Sequence, residues 1–234
     1  MKRGKRYRKA LELIDRDERY TLDDAISILK KIPASKFDET VEIHLNLGVD
    51  PRKADQQIRN SVLLPNGTGK DVRVLVFAEG DKADEATAAG ADYVGVDEFV
   101  TKIQGGWLDF DLVVSTPNLM GKIGRLGRVL GPRGLMPNPK VGTVTMDVGA
   151  AVKDAKFGKV AYRVDKFSNL HIPAGKISFD ADKIKGNIIA IMAAVLRDRP
   201  AAVKGQYIKT LAITTTMGPS VKCNIVAASL ESKR

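Results

Sequence analysis

The sequence is poor in the residues from which most enzyme and metal centres are built. It has one cysteine, Cys223, so a disulfide within one chain and a thiolate cluster are both excluded. Two histidines, His44 and His171, are too few for a structural zinc site. Cys223 lies in a strand-like run with Val221 and Ile225, where a small apolar side chain suits core packing. No apolar run approaches the roughly 20 residues of a membrane span, and no apolar stretch follows the charged N-terminal residues. A cytoplasmic protein with no membrane partner is expected. No nucleophile, base and orienting group stand at a spacing that suggests a triad, so no catalytic residue, cofactor or metal is expected. Asn66-Gly67-Thr68-Gly69-Lys70-Asp71 looks like a phosphate loop but has Leu64 and Asp71 where that motif needs Gly and Ser or Thr. An acid at Asp71 repels phosphate, which removes this loop as a nucleotide site.

Acids are also missing from three tracts. Residues 1–11 hold Lys2, Arg3, Lys5, Arg6, Arg8 and Lys9; residues 112–146 hold Lys122, Arg125, Arg128, Arg133 and Lys140; and between Arg199 and Leu230 stand Lys204, Lys209 and Lys222. The formal net charge is +10 with pI near 9.6, and the three tracts together carry more than that, so the remainder is mildly acidic. Concentrated positive charge favours a polyanionic partner.

What is present reads as folded protein, with 44% hydrophobic and 28% charged residues over 234 positions, enough for one or two domains. Thr21-Leu22-Asp23-Asp24 is a helix-start signature, followed by Leu22, Ala25, Ile26, Leu29 and Ile32 at helical spacing and a stop at Pro33. Residues 40–47 then alternate strictly, with Val41, Ile43, Leu45 and Leu47 on one face and Thr40, Glu42, His44 and Asn46 on the other. His44 is read as a surface member of that polar face.

From about residue 67 the pattern changes. Short apolar runs at 72–78, 93–96 and 112–115 alternate with helix-like segments at 81–89 and 98–104, the mark of a parallel, doubly wound layer. At Lys159 the half-exposed style returns with Val160, Tyr162 and Val164, a turn at Ser168-Asn169, and Leu170-His171-Ile172. A helix is predicted over 179–197, capped by Ser178 or Asp180, and two strands over 207–213 and 221–225. Residues 67–158 therefore read as an insertion between two parts, 1–66 and 159–234, of one α/β domain.

Two stretches invite a binding role. Thr214-Thr215-Thr216-Met217-Gly218-Pro219-Ser220 reads as a strand running into an exposed hairpin tip, with Thr214 and Thr216 facing away from the core as a neutral hydrogen-bonding platform. An ordinary Thr-rich hairpin with Met217 capping a core is the alternative. Gly121 to Lys140 interleaves glycine, proline and arginine, which suits a loop lying on an RNA backbone; a flexible basic loop is again the alternative.

Lys36-Phe37-Asp38-Glu39-Thr40-Val41-Glu42, Gly131-Pro132-Arg133-Gly134-Leu135-Met136-Pro137-Asn138-Pro139-Lys140 and the Thr214–Ser220 motif occur together and in order. In this the chain resembles the family of bacterial large-subunit ribosomal protein one. The resemblance implies a discontinuous α/β sandwich with a mainly antiparallel sheet and an inserted Rossmann-like parallel-sheet domain. It implies binding to a helical rRNA element that forms the mobile stalk near the tRNA exit site, help in releasing deacylated tRNA, and repression of its own operon through a similar mRNA structure. It implies a monomer outside the ribosome. By position it assigns the principal RNA surface to Lys36, Phe37, Thr40, Glu42, Thr216, Met217 and Gly218, with Lys166 and His171 nearby. A secondary surface falls on Lys122, Arg125, Arg128, Arg133 and Lys140. Two other classes remain open on residues alone: a nucleotide-dependent enzyme using the parallel layer, and a membrane-surface protein using the basic arm.

Overall fold

The computed structural model describes residues 4–33 and 35–231. In chain order the helices and strands begin with α1 (Lys5–Leu11), α2 (Leu22–Lys31), β1 (Thr40–Leu47), β2 (Arg59–Leu63), β3 (Val74–Phe77), α3 (Asp81–Ala88), β4 (Tyr93–Val94), α4 (Asp97–Gln104) and β5 (Leu112–Ser115). They continue with α5 (Met120–Ile123), α6 (Gly127–Leu130), α7 (Val148–Phe157), β6 (Lys159–Arg163), β7 (Asn169–Lys176), α8 (Ala181–Arg197), β8 (Ile208–Thr215), β9 (Val221–Lys222) and α9 (Ile225–Glu231). The chain is mixed α/β, with separate antiparallel and parallel sheets. It forms two compact units, Met1–Gly69 with Val160–Arg234, and Lys70–Lys159.

In the first unit β1 lies inside a four-stranded sheet ordered β7-β1-β8-β9, antiparallel throughout. Alternation along β1 buries Val41, Ile43, Leu45 and Leu47 and leaves every second residue accessible. The buried face meets α2 through Leu22, Ile26 and Leu29, and α8 through Ile184, Ile188, Ile191 and Val195. Both helices cover one side, so the polar side of the sheet keeps its contact with water. Thr21 caps α2 as its sequence predicts, its hydroxyl accepting from the Asp24 amide at 3.2 Å. The fully buried Asn187 of α8 donates to Ala174 O and Gly67 O and accepts from the Asn66 amide, which ties the 66–67 turn to β7.

Three expectations for this unit are corrected. Neither expected residue caps α8: Asp180 holds the cap position without a side-chain cap bond, and the Ser178 hydroxyl donates instead to Asp38 at 2.7 Å. The last strand is shorter than residues 221–225, because β9 stops at Lys222 and Cys223 makes a single bridge to Tyr20. Asn224 then caps α9, its Oδ1 accepting from the Val226 and Ala227 amides. The N-terminal tract is not simply an extended arm, since Lys5, Arg6, Arg8 and Lys9 lie on α1; Lys2 and Arg3 lie outside the described residues.

The second unit has a parallel sheet ordered β4-β3-β5. All four residues of β3 are fully buried because both faces are covered, which is why its sequence is a continuous apolar run. Leu75 and Phe77 meet Ile103 of α4 and Ile123, Leu126 and Leu130; Val74 and Val76 meet Ala86 of α3 and Val148 and Val152 of α7.

Candidate nucleic-acid interface

The water-facing side of the first unit's sheet is mainly polar and uncharged, with Glu42, Lys176 and Lys222 as its charged members. Along β1 it presents Thr40, Glu42, His44 and Asn46. Opposite them in register stand Lys176, Pro173, His171 and Asn169 on β7, and on β8 Thr214 across from Glu42, Ala212 from His44 and Thr210 from Asn46. Lys222 lies beyond Ala212 at the sheet edge, held by donation to Arg16 O at 2.8 Å.

One end of this face is built by two segments far apart in sequence. The Thr40 amide donates to Thr216 Oγ1 and the Thr216 amide to Thr40 O, both at 3.0 Å, locking the start of β1 to the end of β8. Glu39, whose side chain is 6% exposed, sits beneath the junction. Its Oε1 accepts from Arg6 Nη1 at 2.7 Å and its Oε2 from the Met217 amide at 3.1 Å. Arg6 also reaches Met217 O at 3.3 Å. Burial alone raises the pKa of such a carboxyl, but the hydrogen bonds from Arg6 and the Met217 amide help to outweigh it and hold Glu39 down at about 2. The ionised acid is thus the peg on which the hairpin tip and α1 hang.

Above this framework Phe37 is 54% and Met217 55% exposed, and Lys36 is exposed beside them. Met217 is therefore not a buried core residue. Gly218 is required by close approach: its dihedrals are not left-handed, but a Cβ there would run into the Thr215 hydroxyl oxygen. Lys176 Nζ donates to Thr40 Oγ1 at 3.1 Å and Asp38 O at 3.3 Å, bracing the same segment from β7. The structure therefore brings Lys36, Phe37, Thr40, Thr216, Met217 and Gly218 to one end of the sheet, with Glu42 one outward step further along β1.

Thr214 and Thr216 face away from the buried Thr215 as expected, and their hydroxyls also brace the tip. Thr214 Oγ1 donates into the turn, to Thr215 O at 3.0 Å or Gly218 O at 3.2 Å, and Thr216 Oγ1 is engaged by the Thr40 backbone. His171 stands mid-face beside His44. Lys166 is exposed on the β6–β7 turn, next to Phe167, which is exposed and was not singled out from the sequence.

In the second unit, residues 117–130 are not an open loop. They form consecutive helical turns, 3-10 at Pro117–Leu119 and Gly124–Leu126 and α in α5 and α6, because Ile123, Leu126 and Leu130 recur at helical spacing and are fully buried. Gly121, Gly124 and Gly127 take negative φ, and a Cβ on any of them meets nothing within 4 Å. Lys122 is paired with Glu79 at 3.2 Å and Asp97 at 3.6 Å, so a tract free of acids in sequence is not free of them in space. Arg125, Arg128, Arg133 and Lys140 are exposed and form no ion pair among the described residues.

Sequence reasoning missed Glu39 and Arg6 as organisers of the tip. The only available signal was an acid immediately before an alternating strand, and nothing in sequence connects it to Arg6 or Met217. Cys223 is buried, and burial pushes its thiol up to about 12, as suits a packing residue. Among the described residues no three His, Cys, Asp or Glu side chains cluster as metal ligands, and no helix is long and apolar enough to cross a membrane. The model of the ribosomal protein L1p/L10e family matches residues 29–219, a span that includes the Phe37 segment, the 131–140 motif and the Met217 tip. The chain accordingly belongs to the ribosomal protein L1p/L10e family, whose members are RNA-binding proteins of the large ribosomal subunit and not enzymes.

Proposed function

We propose that the chain grips a helical element of large-subunit rRNA with the end of the sheet formed by residues 36–42 and 214–218, forming the mobile stalk near the tRNA exit site. There it assists release of deacylated tRNA. A similar structure in its own operon's mRNA would occupy the same surface and repress translation, and outside the ribosome the chain acts as a monomer. The observation that carries this reading is the pair of exposed apolar groups, Phe37 and Met217, held on a framework locked by Glu39. Such a surface suits the wide, shallow groove of RNA, where apolar faces meet sugars and bases and Thr40, Glu42 and Thr216 meet 2′-hydroxyls and base edges. Glu42 would be costly against phosphate, so it accepts from hydroxyl or amino groups. The exposed cations of residues 125–140 add a sequence-independent contribution through phosphate contacts.

The inserted-domain organisation belongs to the same proposal and supplies the test. A chain in which a Gly/Ser linker replaces residues 70–159 is expected to fold and to keep preference for the rRNA element over an unrelated hairpin of equal length. Full-length Met217→Asp is expected to fold but lose that preference, because a carboxylate then faces an anionic ligand. If the shortened chain melts cooperatively yet shows no preference while Met217→Asp binds like wild type, recognition belongs to the inserted unit.

A further inference from the structure

The RNA-binding reading uses His171 only as a neighbour of its principal surface and gives His44, at the centre of the sheet's open face, no role. His44 and His171 are direct cross-strand partners, with Nδ1 to Nδ1 at 2.7 Å and ring centroids 4.9 Å apart at 63°. At that separation one ring donates its Nδ1 proton and the other accepts it, so one proton occupies the point on which both lone pairs converge. The outer nitrogens both look toward carboxylates: His44 Nε2 lies 3.8 Å from Glu42 Oε2, and His171 Nε2 lies 3.7 Å from Asp165 Oδ2. Asp165 is itself fixed, Oδ1 accepting from the Phe167 and Asn169 amides.

We propose that the His44–His171 pair is a binding site for one borderline-soft divalent transition ion, of which Zn²⁺ is the type. Convergent Nδ1 atoms, with a carboxylate oxygen 3.7–3.8 Å from each Nε2, approach the arrangement in which imidazole ligates metal, where an acceptor draws the outer N–H; a small ring rotation would bring each Nε2 within hydrogen-bond reach of its carboxylate. Zn–N bonds of about 2.0–2.1 Å at a tetrahedral angle need the two nitrogens about 3.3 Å apart, so the rings must part by about 0.6 Å. A small rotation of two accessible side chains supplies that. Charge and protons balance. The Nδ1 proton that the ion displaces moves through water to the outer nitrogen of the same ring, facing Glu42 or Asp165, and both rings remain neutral. Imidazole selects Zn²⁺, Cu²⁺ and Ni²⁺ over Mg²⁺ and Ca²⁺, which prefer oxygen. With no third ligand in the cluster, the remaining positions are open to water or an anion.

The inference rests on the imidazole geometry and is measured without RNA, so its outcome is independent of the RNA-binding reading. The RNA-free full chain is titrated with ZnCl₂ by calorimetry in a non-chelating buffer at neutral pH, beside His44→Gln and His171→Gln. One saturable site per chain is expected, unaffected by excess Mg²⁺. Each single variant should weaken it about tenfold or more. Nitrogen shifts of the wild-type rings, which need no variant, should show Zn²⁺ at both Nδ1 atoms. Absence of a saturable site at millimolar Zn²⁺, wild-type affinity in either single variant, or shifts confined to one ring would overturn the proposal.

Discussion

The two regions rich in binding signals, the Phe37–Met217 end of the first unit and residues 121–140 of the second, are built in opposite ways. The first rests on a buried charge: one ionised acid lies below the surface, one arginine reaches in to meet it, and apolar side chains face water beside Lys36. The second hides its apolar residues and shows its charge, with Ile123, Leu126 and Leu130 packed inside and Arg125, Arg128, Arg133 and Lys140 outside. Even the glycines differ in kind. Gly218 sits where a methyl group would strike Thr215, whereas Gly127 stands in open space. A shaped, mainly uncharged surface discriminates between ligands, and an exposed cationic ridge attracts any of them.

The sharpest way to break the comparison is at its buried acid. Glu39→Ala should destabilise the chain by about 3 kcal/mol at pH 7, because it leaves Arg6 and the Met217 amide without their partner. The folded-state pKa is lowered from 4.5 to about 2, so this stabilisation is complete above pH 4.5 and is lost as pH falls toward 2. Denaturant titrations of wild type and variant should therefore differ widely at pH 7 and converge in acid; equal stability at pH 7 would remove Glu39 from its role. Next come the glycines. Gly218→Ala should cost about 1–3 kcal/mol through overpacking against Thr215, while Gly127→Ala should leave stability unchanged or raise it by about 0.5 kcal/mol. Equal thermal shifts for the two would erase the distinction.

Phe37→Ala separates surface from core. With the ring already exposed, folding stability should move by less than about 0.5 kcal/mol, while affinity for the rRNA element drops by about 1–3 kcal/mol. A variant that unfolds would return Phe37 to the core. The smallest effect belongs to the cationic ridge. Arg128→Ala should lower affinity for all RNAs alike and reduce the log-log salt slope by about 1. Lys122→Ala should change the slope less, since that ammonium already faces Glu79 and Asp97. If the two slopes move equally, those acids do not restrain Lys122.

Local pattern carried much of this into the sequence. The period of two in residues 40–47 marks a strand with one wet face, and the unbroken apolar runs at 74–77 and 112–115 mark strands buried on both faces. Both are consequences of neighbouring residues. What the sequence concealed is pairing across distance. Arg6 and Glu39 are 33 positions apart, and His44 and His171 are 127. Lys122 stands in an acid-free tract yet meets Glu79 from 43 positions away. The helical turns at 117–130 were hidden for a different reason, since glycine at every third position suggests a loop until the spacing of Ile123, Leu126 and Leu130 is given priority. For α9 the signal was present in Asn224, a cap residue read as the end of a strand.

The lock between Thr40 and Thr216 also sets an order in time. A chain made from its N-terminus exposes residues 36–42 long before their partners exist, because β1 must wait for β7 on one side and β8, 176 positions beyond Thr40 at the lock itself, on the other. The Met217 amide that completes the Glu39 site emerges 178 positions after Glu39 itself. A chain that stops short of Met217 therefore carries Phe37 without the support that aims it, and the finished surface certifies that everything from Thr40 to Met217 has been made.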